Sequence, residues 1–152
     1  MPATTTRPAH SGGGPAVLAE ELRELATSAD AAGRFAEGSY LIAGNREHEL
    51  LSADLVAHGT LQRLQELLPE IVLHGGADDG LRIALRTATD LAGGRESLRG
   101  STGYPSDLAS GTAGSLFRNA AAGVRAIAEI AEFRSASSDA FHEAVRLLSL
   151  DA

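Results

Sequence analysis

No cysteine, lysine or tryptophan occurs in this chain. The missing thiols exclude disulfides, cysteine nucleophiles and thiolate-held zinc or iron–sulfur centres. The missing lysine excludes Schiff-base chemistry and the phosphate-binding lysine of a P-loop. Aromatic residues make up 4% of the sequence, too few to fill the interior of a sheet protein. No apolar run approaches the ~20 residues that span a bilayer. The opening MPATTTRPAHSGGGP lacks the apolar centre of a secretory signal. A cytoplasmic protein is the expectation. Basic charge is also short: 13 arginines oppose 20 carboxylates, for a net charge of −7. That acidic balance speaks against binding nucleic acid, a polyanion, and against an anionic membrane surface.

Alanine and leucine dominate what is present. There are 28 Ala and 21 Leu against 5 Val and 5 Ile. Ala and Leu lose little on entering a helix, whereas β-branched residues suit strands. The composition therefore predicts an all-α protein. An Ala- and Arg-rich, Lys-free sequence also has the style of high-GC bacterial proteins, which reflects genome composition rather than function. The 152 residues suit one domain. Residues 1–14, rich in Thr, Pro and Gly, read as a disordered tail, and residues 15–152 as the folded domain.

Apolar periodicity predicts four to five amphipathic helices. The first spans Pro15 to about Ala32 on a stripe of Leu18, Leu22, Leu25 and Ala29. Gly33 stops or weakens it, and Phe35, Tyr40, Leu41 and Ile42 form a continuation or a short helix. The second runs from Arg46 to about Val72. Leu50, Ala57, Leu61, Leu64, Leu68 and Ile71 form its stripe, widened by Leu51, Leu55 and Leu67, and Pro69 kinks or ends it. The third starts at a cap on Asp78 or Asp79 and ends at Gly93-Gly94. It turns Leu81, Ala84, Leu85, Ala88 and Leu91 inward. Residues 95–112 read as the longest irregular stretch. The fourth helix starts between Ser106 and Thr112 and faces Ala113, Leu116, Phe117, Ala120, Val124, Ile127 and Ala131 one way. Ser138 caps a short last helix with Phe141, Val145 and Leu148 inward. Each stripe needs another to cover it, which is the logic of a helical bundle.

Chemistry-bearing residues are sparse. On the second helix Glu47, Asp54 and His58 share a face, with Asp54 and His58 one turn apart. A carboxylate and an imidazole at that spacing can meet or share a metal ion, for which His142 and Glu143 are candidate further ligands. The same spacing also suits a plain surface contact, and two ligands fall short of the three or four of a zinc site. Neither Glu-x-x-His nor His-Glu-x-x-His occurs, so a di-iron bundle fits poorly and a zincin is excluded. No cofactor is expected. The loop around Tyr104, flanked by Arg95, Arg99 and Arg118, could hold a carboxylate or phosphate, or could simply connect two helices. No Gly-x-Ser-x-Gly elbow occurs.

Small residues crowd the fourth helix: Ala113, Gly114, Ala120, Ala121, Ala122, Gly123, Ala126 and Ala128. Such a face suits close helix packing, either inside one chain or between two. The reading that follows is a non-enzymatic bundle acting by self-association, as a homodimer, or by contact with another protein. The alternative is a bundle holding a small molecule or metal between helices, as a binding protein or an enzyme, through Asp54, His58 and the Arg-flanked 95–112 loop.

Overall fold

The computed structural model describes residues 14–38, 46–99 and 107–150. Among them no strand occurs, in agreement with the all-α expectation. The backbone makes three unbroken helical runs rather than four to five separate helices. The first is α1, Gly14–Glu37. The second folds back on itself: α2, Arg46–Gly75, passes through one π-type turn, Gly76–Gly80, into α3, Leu81–Arg99. The third is α4, Asp107–Leu150, 44 residues and about 66 Å long. No described helix is long and apolar enough to cross a membrane.

Buried residues recur at alternating steps of three and four. Leu18, Leu22, Leu25, Ala29, Ala32 and Ala36 line α1, and Ala53, Ala57, Thr60, Leu64, Leu67 and Ile71 line α2. Ala84, Thr87, Leu91 and Gly94 line α3, and Ala113, Phe117, Ala120, Val124, Ile127 and Ala131 line α4. This is the seven-residue period of coiled-coil packing. The two buried threonines satisfy their hydroxyls one turn back, on the carbonyls of Val56 and Ile83, each at 2.8 Å.

Sequential helices run antiparallel. Three ion pairs zip α1 to α4: Arg23 to Glu132, Asp30 to Arg125 and Glu37 to Arg118. The partners step by seven residues on each helix in opposite directions, which fixes both orientation and register. On the other side of α4, Gly94 lies under Phe117 and Gly123 under Thr87 of α3. A Cβ at Gly94 would occupy the space of the Phe117 ring, so the glycine is what admits the largest fully buried side chain. At the hairpin, Gly76 adopts a φ of +93°. Gly80 there sits against the Gly75 backbone so closely that an added Cβ would be 2.7 Å from the Gly75 carbonyl carbon.

Several boundaries differ from expectation. Gly33 and Pro69 do not end their helices. Gly33 is buried, with Arg118 Cγ and the Gly114 carbonyl each 3.4 Å from where its Cβ would stand, so it serves contact with α4. Pro69 lies on the exposed face with Gln65, where water can take up the carbonyl that proline leaves unbonded. Gly93-Gly94 does not stop α3, which continues to Arg99, so Arg95 and Arg99 stand on a helix and not in a loop. Neither Asp78 nor Asp79 caps α3, because both lie inside the π turn. Leu51, Leu55 and Leu85, expected inward, are exposed, and Ala53, absent from the expected stripe, is buried in the seam beside the expected Ala57. Gly14 belongs to α1, while residues 1–13, Tyr40, Leu41 and Ile42 lie outside the described residues.

The largest difference concerns the end of the chain. Ser138 caps nothing: α4 runs through it without a break. The bundle ends near Arg134, which lies over Gly76 of the hairpin turn and lines a shallow cleft with Pro15 of α1. Residues 135–150 extend about 24 Å further. Phe141, Val145 and Leu148, expected inward, are 66, 45 and 71% exposed.

Candidate functional site

The residues singled out by sequence do not gather in one place. Asp54 is half-buried on α2 and engages α3: Arg95 Nε donates to Oδ1 at 3.0 Å and Nη2 to Oδ2 at 3.5 Å. Arg99 Nε stands 4.0 Å from the same Oδ1. Asp54 is thus bound side-on by one arginine and approached by a second, an arrangement that ties α2 to α3. His58, one turn along, points to solvent and is exposed, as is Glu47. Arg118 belongs to a different helix pair, donating from Nε to Glu37 Oε2 at 3.2 Å and from Nη2 to Oε1. Hydrogen bonding to Glu37 raises its already high pKa further. Tyr104 lies outside the described residues.

His142 lies on the projecting part of α4, its ring edge-on to Phe141 at 6.0 Å. It is separated from His58 by on the order of 35–40 Å along the bundle, since His58 lies well inside α2 and His142 beyond the bundle's end. The two cannot ligate one ion. Among the described residues no three His, Asp or Glu side chains gather as a metal site would require. Open grooves lie between α1 and α2 at Leu25 and Arg63, and between α3 and α4 at Asp90 and Asn119. Neither includes Asp54, His58, Arg95 or Arg118. The small residues of α4 divide: Ala113, Gly114, Ala120, Ala121 and Ala128 are buried and Gly123 lies against Thr87, while Ala122 is exposed and Ala126 half-buried along the groove between α3 and α4.

What remains as a surface of distinct character is the outer part of α4. Its buried seam continues without a change of register: after Ala131 the same steps reach Arg134, Ser138, Phe141, Val145 and Leu148. The side chains flanking the seam, Ser137, His142, Ala144 and Ser149, carry no carboxylate or guanidinium. Asp139, Glu143 and Arg146 fall on the opposite side of the helix, where Arg146 pairs with Glu143 at 2.6 Å. Phe133, at the root of this segment, and Leu73 on the neighbouring helix end are exposed too. The signal for this surface was present in the sequence: an unbroken heptad from 113 to 148 with no Gly or Pro between Val124 and Leu150. Compared with known protein families, curated proteins and solved structures, the chain matches none.

Proposed function

We propose that this protein works by association with another protein chain, the four-helix body serving as a rigid mount for the projecting segment of α4. One observation carries the reading: an amphipathic helix leaves its bundle in heptad register with its large apolar residues uncovered. Isolated helices of this length are marginal in water, and most helical stability comes from covering the apolar stripe. A stripe of Phe, Val and Leu facing solvent is a cost that a partner removes. The alternative, a ligand or metal held between helices by Asp54 and His58, has less support, because Arg95 already occupies the carboxylate and His58 faces outward.

The reading is tested with a photo-crosslinking amino acid at Phe141 in the cell that makes the protein. A covalent adduct should form there and not at exposed Arg82 on α3. Equal yields at both positions, or no adduct at either, would remove the basis for the proposal.

A further inference from the structure

We infer that the occupant of the α4 projection is a second copy of this chain, its projecting segment paired antiparallel to the first; the inference rests on the association reading and makes it specific. The seam is complementary to itself in one arrangement. In an antiparallel pair with heptad layers, Phe141 meets the partner's Val145, and Leu148 meets the partner's Ser138. A large side chain therefore faces a smaller one in every layer. The run Ser135-Ala136-Ser137-Ser138 supplies the room that Leu148 needs.

Electrostatics favour the same choice. The chain carries a net charge of −7, so two bodies side by side would repel. A parallel pair brings them together, whereas an antiparallel pair sets them at opposite ends. The absence of formal charge beside the seam means that no like charges are forced into contact when it meets itself. It also leaves nothing by which a charged partner would be recognised. α1 begins at the same end of the bundle, where Pro15 lies by Arg134. The sequence before it, MPATTTRPAHSGG, has no Leu, Ile, Val, Phe, Tyr or Trp with which to cover Phe141 and Leu148.

The pairing is weak. A buried Phe removes about 150–250 Å² from water, so each seam contributes on the order of 400–600 Å². A standard stable interface takes roughly 800 Å² per partner. Sedimentation equilibrium of the full chain from about 5 to 500 µM should therefore move from the mass of one chain to that of two. Phe141→Glu should abolish that rise and leave the helical circular dichroism unchanged, since the residue is 66% exposed and its ring contact is with His142 of its own helix. Orientation is read by disulfide formation, free of background because the chain has no cysteine. The double variant Ser138→Cys with Leu148→Cys should oxidise to a covalent dimer. Ser138→Cys alone should not, because in the antiparallel pair its two copies lie about 15 Å apart along the axis.

A chain that stays monomeric at 500 µM overturns the inference. So does a dimer that survives Phe141→Glu, or a Ser138→Cys variant that oxidises as readily as the double one. A monomer that sediments with phosphatidylglycerol vesicles assigns the seam to lipid instead, and a monomer with a Phe141 adduct to its own bundle shows it folded back. If the purified chain is monomeric while the cellular adduct at Phe141 contains a different protein, self-pairing fails and the association reading stands. If no adduct forms, both fail.

Discussion

Between Ala113 and Ala131, α4 fills its heptad positions with Ala113, Phe117, Ala120, Val124, Ile127 and Ala131, and every one is fully buried. Between Phe141 and Leu148 the same register carries Phe, Val and Leu, and all three are exposed. The inner half sits between α1 and α3, with Ala121 and Ala128 buried beside the seam and Gly94 and Gly123 at contacts too close for a Cβ. The outer half has no such neighbours among the described residues. One period thus serves two purposes, and the neighbours distinguish them: its apolar residues are covered where α1 and α3 flank the helix and uncovered where the surface stands clear.

The largest expected effect comes from comparing Phe117 with Phe141. Phe117→Ala empties the volume above Gly94 and should cost about 3–5 kcal/mol in urea denaturation. Phe141→Ala, measured at a concentration where the chain is monomeric, should change stability by less than ~0.5 kcal/mol. Equal costs would mean that the outer half is packed against the bundle in solution, and the contrast between the halves would disappear.

Much of this was legible in the sequence. The stripes of the first helix and of the inner part of α4 match their buried residues, with only Leu116 partly exposed. The second helix was read less well because leucine was weighted above alanine. Leu51 and Leu55 stand outside, while Ala53, which the stripe omitted, holds the seam beside the expected Ala57. A close-packed helix pair selects for small size, and hydrophobicity alone does not report how near the next helix comes. Glycines misled in the same way: Gly93-Gly94 read as a stop and Gly33 as a stop or a weak point, yet Gly33 and Gly94 lie at helix contacts. For the candidate site, the Asp54–His58 spacing was correct but could not show that Arg95, 41 residues away, takes the carboxylate. Ser138 suits a helix cap by type, and only the continuing heptad argued against one.

A smaller effect should separate the halves by charge. The ladder from Arg23 to Glu132, Asp30 to Arg125 and Glu37 to Arg118 flanks only the inner half. Its members are partly exposed, so each pair is worth little alone and is screened by salt. Replacing Asp30, Glu37 and Glu132 by their amides should lower the melting temperature by no more than a few degrees, and 1 M salt should erase most of the difference. The Arg23 hydrogen bond holds the Glu132 carboxyl below its ordinary value of 4.5. A depressed carboxyl contributes stability above its unfolded pKa and loses it as pH falls through the folded one. The advantage of wild type over Glu132→Gln should accordingly be present at pH 7 and fade below pH ~4.5. A salt-insensitive difference would mean that the ladder acts through packing of the arginine stems.

The smallest effect lies on the opposite flank of the inner half and has the opposite sign. Asp90 sits in the groove between α3 and α4 with Arg86, Asn119 and Gly123. Burial pushes its carboxyl above the ordinary 3.8, and the nearby Arg86 only partly offsets this. A raised carboxyl binds its proton more tightly in the folded state than in the unfolded one. Stability from this group is then greatest below pH ~3.8, declines as pH rises through the interval up to the raised pKa, and stays at its lower level above it. Asp90→Asn removes the charge that burial disfavours. At pH 7 it should raise stability slightly, by less than ~0.5 kcal/mol, and the gain should shrink as the pH is lowered and the wild-type carboxyl takes up its proton. Measured side by side, Glu132→Gln and Asp90→Asn should shift the pH dependence of the melting temperature in opposite directions. A loss of stability in Asp90→Asn at pH 7 would show that attraction to Arg86 outweighs desolvation, and that both flanks of the inner half are held by charge.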